Sequence, residues 1–187
     1  MSLNRRGLVG GAAALLPLAL ASPAAAADPN ALSAAETLAR EHALAAAEGK
    51  GVLIEFFASW CVWCPPMDAL LSDDAVASIV TPRFRVLRLR VLERRGVELA
   101  RQLAGADAIF RRYTPANAGL PFLSFTDADG RTLINSVCAT TNENIGFPAA
   151  GHELDWFETM LATAAPELTL GQRTAVRNAC VRHYRGR

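Results

Sequence analysis

No charge of one sign dominates this sequence. Its 187 residues carry 19 basic and 18 acidic side chains, a formal net charge of +1. That gives a nucleic acid or an acidic lipid surface little to attract. No apolar run reaches the ~20 residues that a membrane span needs. There is no internal repeat and no low-complexity linker, so the chain does not read as a repeat array. Metal-ligand patterns are scarce too. His42, His152 and His183 are scattered along the chain, and each reads as a surface or helix-end residue. Zinc usually wants a second C-x-x-C or H-x-x-x-H pair beside the first, and none is present. Haem attachment needs C-x-x-C-H, but Pro65 follows Cys64. No metal and no organic cofactor is expected.

What is present is an ordinary globular balance, 51% apolar and 20% charged. A chain of roughly 160 residues buries about 70% of its extended surface, enough to fold without metals or multiple disulfides. The first 27 residues read differently. Arg5 and Arg6, an apolar run and the small residues Ala25–Ala27 follow the plan of a secretory signal. The "NRR" pair partly matches a twin-arginine export signal, with Leu8 where Phe is usual. Cleavage after Ala27 is expected, with a retained anchor as the minor alternative. It would shift the formal charge to about −1 and leave no stable membrane insertion. The expected location is the periplasm of a Gram-negative-type cell. The division expected is a signal at 1–27, a domain at 28–166 and a helical extension at 167–187.

Periodicity and breakers give the elements. A helix is expected from Asn30 to Glu48, ended by Gly49 and Gly51. "VLIEFF" (Val52 to Phe57) suits a strand buried on both faces. Pro65 and Pro66 fit the first turn of a helix, where missing donors cost little. "FRVLRLRVL" (Phe84 to Leu92) reads as a second strand, and "GVELARQLAGADAIFRRY" as a helix interrupted near Gly105. "PFLSF" and "RTLINSVCA" form a hairpin about "DADG". "TTNENIGFPAAG" is a loop that could present Phe147, and two helices close the chain. The order implies a mixed α/β sheet covered on both faces.

The chemistry concentrates in "FFASWCVWCPPM", Phe56 to Met67. An exported chain with four cysteines permits disulfides. A C-x-x-C opening a helix after a buried strand places its first thiol by the positive helix end. Its pKa then falls from ~8.5 toward ~7 or below. Cys61 would attack as an accessible thiolate, and the shielded Cys64 would resolve the mixed disulfide.

These residues resemble the thioredoxin superfamily. "VLIEFFASWCVWC" is similar to its strand, Trp-Cys motif and helix, and "GLPFLSFTDADGR" to its cis-proline segment, third strand and hairpin. The likeness covers Val52 to Ala139. It implies a thioredoxin-like α/β domain with an N-terminal helix and a C-terminal helical extension. The activity implied is thiol–disulfide exchange with protein thiols or disulfides, sustained by a redox-recycling protein. Cys61 would be the nucleophile, Cys64 the resolving cysteine and Pro121 the cis-proline, with an ordinary trans proline as the alternative. Val62 and Trp63 supply no His between the cysteines, and Cys-Val-x-Cys resembles exported domains that pass reducing power outward. The direction expected is therefore reduction. A non-catalytic peptide-binding or chaperone module with a static Cys61–Cys64 disulfide is the alternative, and the P-x-x-x-T/S-x-x-C arrangement of peroxide-removing enzymes is missing.

Supporting residues follow. Glu55, the one charge in "VLIEFF", would have a raised pKa in a central strand. By the resemblance it moves protons for Cys64. The alternative is a hydrated Glu at a frayed strand end. Arg88 either pairs with Glu55 or, the favoured reading, packs its stem and hydrates its head. Trp60, Trp63, Leu120 and Pro121 would form an apolar collar that accepts extended polypeptide, or else pack in the core. Cys138 is open to three readings: a small buried thiol, a bridge to Cys180, or a third redox thiol.

Overall fold

The computed structural model describes residues 32–186. The expected signal at 1–27 lies outside them. Helix α1 spans Ala34–Glu48. Ser33 and Glu36 close its first turn as a reciprocal capping box, and Gly49 ends it at φ 65°. The helix thus begins four residues later than its composition suggests, directly after Ser33.

Gly51 opens strand β1, Gly51–Phe57. A Cβ there would sit 2.3 Å from the Thr126 carbonyl oxygen, so the strand starts on a residue with no side chain. Then follow α2 (Cys64–Leu71), α3 (Asp74–Val80) and β2 (Phe84–Arg90). Next come α4 (Gly96–Arg101) and α5 (Ala106–Tyr113), separated where Gly105 turns at φ 78°. Strands β3 (Phe122–Thr126) and β4 (Thr132–Asn135) and helices α6 (Gly151–Ala164) and α7 (Leu170–Arg185) complete the order.

The sheet order is β2-β1-β3-β4. β1 runs parallel to β2 and antiparallel to β3, with Glu55 opposite both Arg88 and Leu123. β3 and β4 form the expected hairpin, although β4 is shorter than "RTLINSVCA" suggests. After Asn135 the pairing thins to Ser136, whose N–H donates to the Leu123 carbonyl. Val137 pairs with Asn144 in an isolated bridge, and Cys138 N–H donates to the Glu143 carbonyl.

Alternation along β1 sorts its side chains to two cores. Val52, Ile54 and Phe56 pack on the α1 and α5 side with Leu87, Leu89, Phe110 and Phe122. Leu53 points to the other side, into a cluster with Met67, Leu70, Leu123, Phe125, Met160 and Leu161. Glu55 shares the parity of Leu53, so it lies on the face that α2 covers. Helix α7 buries Val176, Ala179 and Cys180 in this second cluster. The segment expected as an extension therefore shares the main core. Its arginines are paired rather than simply solvated: Arg177 with Asp155 and Glu158, Arg182 with Asp73.

Candidate active site: the Cys61–Cys64 disulfide

The link from β1 to α2 carries the redox motif. Cys61 and Cys64 form a disulfide with Cα atoms 5.4 Å apart. Helix α2 begins only at Cys64, with Trp63 as its cap and Pro65 and Pro66 in its first turn. Neither proline has an amide hydrogen. Cys64 N–H is spent on the Cys61 carbonyl and Met67 N–H on that of Trp63. The helix charge remains, but in the oxidised state these first-turn positions have no spare N–H.

Exposure is low at both cysteines of the disulfide. Cys61 retains 5% of its surface and Cys64 2%, whereas Val62 retains 69%. The disulfide packs with Ala58 against Phe57 and Leu120. In the oxidised state the first sulfur is nearly as enclosed as the second.

The Leu120–Pro121 peptide bond is cis. Leu120 thus lies against the cysteines just ahead of β3. Asn144 holds this segment: its Nδ2 donates to the carbonyl oxygens of Gly119 (2.8 Å) and Pro121 (3.0 Å), and its Oδ1 accepts from Ser136 Oγ. Nothing in "TTNENIGFPAAG" marks Asn144 among the polar residues of a loop. Its role depends on a contact 23 residues away.

Glu55 is fully buried. Its Oε2 accepts from Arg88 Nε at 2.6 Å, while Oε1 is buried with no hydrogen-bond partner in the protein. Burial pushes its pKa up, and the Arg88 guanidinium only partly opposes this. Arg88 also pairs with Asp68 on α2. The favoured sequence reading of Arg88 as a hydrated head is therefore corrected. Parallel register puts it beside Glu55, and its side chain spans from the buried acid to the helix surface.

The two tryptophans do not form one collar. Trp60 turns toward the link between β2 and α4. Its Nε1 donates to the Leu92 carbonyl, and the Arg94 guanidinium lies 5.2 Å above the ring. Below it, buried Glu93 accepts from Ser59 N–H (2.6 Å) and Ser59 Oγ (2.7 Å). Burial raises the Glu93 pKa, but the bonds from Ser59 and Arg90 outweigh it and hold the group ionised. "LERRG" gives no sign of this clasp, because a charged run ordinarily reads as surface. Trp63 instead stacks on Phe147 (centroids 5.9 Å, planes 11° apart) and on Tyr184 (6.1 Å, 15°). Trp63 and Leu120 line a cavity of about 250 Å³ that reaches Gly146, Phe147 and Glu153.

Cys138 and Cys180 are separate buried thiols, so the bridge between them is not formed. The Thr140 hydroxyl, 3.1 Å from Cys138 Sγ, holds that thiol below its usual pKa, against burial. Burial pushes Cys180 up to about 12. Among the described residues no cluster of three or more His, Cys, Asp or Glu side chains is arranged to hold a metal, and no helix is long and apolar enough to cross a membrane.

A central strand leading into a disulfide-headed helix, a parallel β1–β2 pair and a cis-proline ahead of an antiparallel hairpin together decide the architecture. The fold is thioredoxin-like. No protein-family model and no curated protein matches the sequence. Among solved structures the chain is similar to a disulphide isomerase from Xylella fastidiosa Temecula1, at 17% identity over 88% of this chain and 98% of that one, TM-score 0.48. It is similar to a DsbH oxidoreductase at 21% identity over 83% and 96%, TM-score 0.49. It is also similar to the oxidised C-terminal domain of Neisseria meningitidis DsbD at 23% identity over 67% and 93%, TM-score 0.44. The thioredoxin-like assignment stands on the strand order and the site itself.

Proposed function

We propose that this chain is an exported thiol–disulfide oxidoreductase that reduces protein disulfides through Cys61 and Cys64. In the dithiol form the Cys61 thiolate attacks one sulfur of a substrate disulfide. A mixed disulfide forms and the substrate's other sulfur leaves as a thiolate. Glu55 takes the Cys64 proton, and the Cys64 thiolate then displaces the substrate from Cys61. Two electrons pass to the substrate, which departs as two thiols, and the enzyme is left as the disulfide seen here. A protein donor of the opposite poise restores the dithiol. Leu120 and Pro121 hold the substrate backbone, with Trp63 flanking it. Cys138 and Cys180 take no part.

One observation carries the reading. The disulfide heads the helix that covers the Glu55 face of the sheet, and Glu55 keeps one oxygen unpaired there. A buried carboxyl with raised pKa and a vacant oxygen suits proton transfer. The reducing direction rests on Val62 and Trp63, since neither is a His able to stabilise the thiolate. Export to the periplasm rests on the signal pattern of residues 1–27.

The 5% exposure of Cys61 favours a second reading, a peptide-binding module whose disulfide is a static staple. A trap separates them. A Cys64→Ser chain, expressed in its own exported compartment, should accumulate mixed disulfides through Cys61, and none should form when Cys61 is also Ser. If Cys64→Ser captured no partner and its Cys61 stayed unmodified, the staple reading would replace this one.

A further inference from the structure

The last turn of α7 reaches the redox motif from outside the sheet. Helix α7 packs on α2 and α3. Its end is fastened at Asp73, the cap of α3, by His183 Nε2 (3.1 Å) and by an Arg182 guanidinium nitrogen (3.2 Å). The next residue, Tyr184, lays its ring nearly parallel to Trp63. Phe147 does the same from the loop after β4 and is itself buried. Trp63 is one of the two residues inside the C-x-x-C, yet its ring is oriented by two groups more than 80 residues further on.

We infer that Tyr184 is a specificity-determining positioning residue: by stacking on Trp63 it fixes one wall of the cavity beside the disulfide, which takes an apolar side chain flanking the reacting cysteine of a substrate polypeptide. This deepens the oxidoreductase reading and rests on it. The cavity is lined by Leu120, which packs against the disulfide cluster, so a chain paired along Leu120–Pro121 would carry a neighbouring side chain into it. Trp63, Leu120, Phe147 and Ala149 give it apolar walls, and its polar members Asn144 and Glu153 are already hydrogen-bonded within the protein, which favours an apolar occupant. Trp63 is 37% exposed and Tyr184 45%, so their stack lies at the surface beside the disulfide. Without the phenol ring, Trp63 loses one of its two stacked rings and the wall is less firmly set.

The test compares the mature wild type with Tyr184→Ala and Tyr184→Phe. Three substrates are used: two disulfide-linked peptides that differ only in Leu or Ser beside the cysteine, and bis(2-hydroxyethyl) disulfide. Tyr184→Ala should raise KM for the Leu peptide about 2- to 12-fold, equivalent to the 0.5–1.5 kcal/mol of one aromatic pair. Its kcat, and its rates with the Ser peptide and the small disulfide, should stay within about twofold. Tyr184→Phe keeps the ring and should behave as wild type. An unchanged Leu-to-Ser ratio in Tyr184→Ala would overturn the inference. So would an equal loss on all three substrates, which would mark Tyr184 as merely structural. Suppose instead that the wild type exchanges with nothing, yet Tyr184→Ala weakens binding of a Leu peptide with Ser in place of Cys. The oxidoreductase reading would then fall, and the role of Tyr184 at the cavity would stand.

Discussion

A carboxylate in the middle of a sheet carries an unfavourable desolvation that one arginine does not fully offset. Glu55 is fully enclosed, bonded through one oxygen only, and its pKa is raised by burial. Folding therefore favours its protonated form. Its stabilising contribution is complete below the unfolded value of ~4.3 and is lost as pH rises through the higher folded value. Glu55→Gln removes that dependence. Denaturant titrations at pH 4, 6 and 8 should show the glutamine variant gaining stability relative to wild type as pH rises. The same variant should slow the resolving step by on the order of 10²-fold, the low end for a positioned general base. Unchanged exchange rates from pH 6 to 9 would remove Glu55 from the mechanism. Asn144 offers a different case. Its amide serves two carbonyls of the cis-proline segment, and Asn144→Ala leaves them short of a donor. A loss of about 1–3 kcal/mol is expected in urea unfolding, together with slower exchange on peptide disulfides.

At the scale of elements, local pattern and distant packing part company. β1 was legible because "VLIEFF" is apolar on both faces, and the break between α4 and α5 because Gly105 must turn at positive φ. The resemblance located the disulfide and the cis-proline. What stayed hidden depends on contacts far along the chain. Strand β4 stops at Asn135 because Asn144 returns to pair with Val137. The loop at Trp60 is fastened by a glutamate 34 residues on from Ser59. The closing helix looked like an appendage because its mean character is polar and basic. Three fully buried side chains, Val176, Ala179 and Cys180, tie it to the core, with Ala175 and Val181 packed beside them. Val176→Ala should therefore cost about 2 kcal/mol, the loss expected for two buried carbon groups plus a small cavity. The urea midpoint of the full mature chain measures it. A midpoint unchanged within error would return α7 to the status of an appendage.

The described residues form one sheet between two apolar layers, with the disulfide where the central strand leaves the sheet. That placement brings Leu120, next to Pro121, against the disulfide cluster at one end of the domain. It also keeps the other two sulfurs apart, Cys138 beside Thr140 and Cys180 in the α6–α7 core. Equilibration with dithiol/disulfide buffers of graded potential, followed by alkylation and mass spectrometry of the peptide containing Cys61 and Cys64, addresses the central claim most directly. The account predicts reversible conversion of that pair between about −180 and −280 mV, the span of protein disulfide isomerase, glutaredoxins and thioredoxin. A midpoint near −120 mV would contradict the reducing direction. A pair still oxidised at equilibrium below about −300 mV would be a structural staple, and the exchange reaction would have no centre.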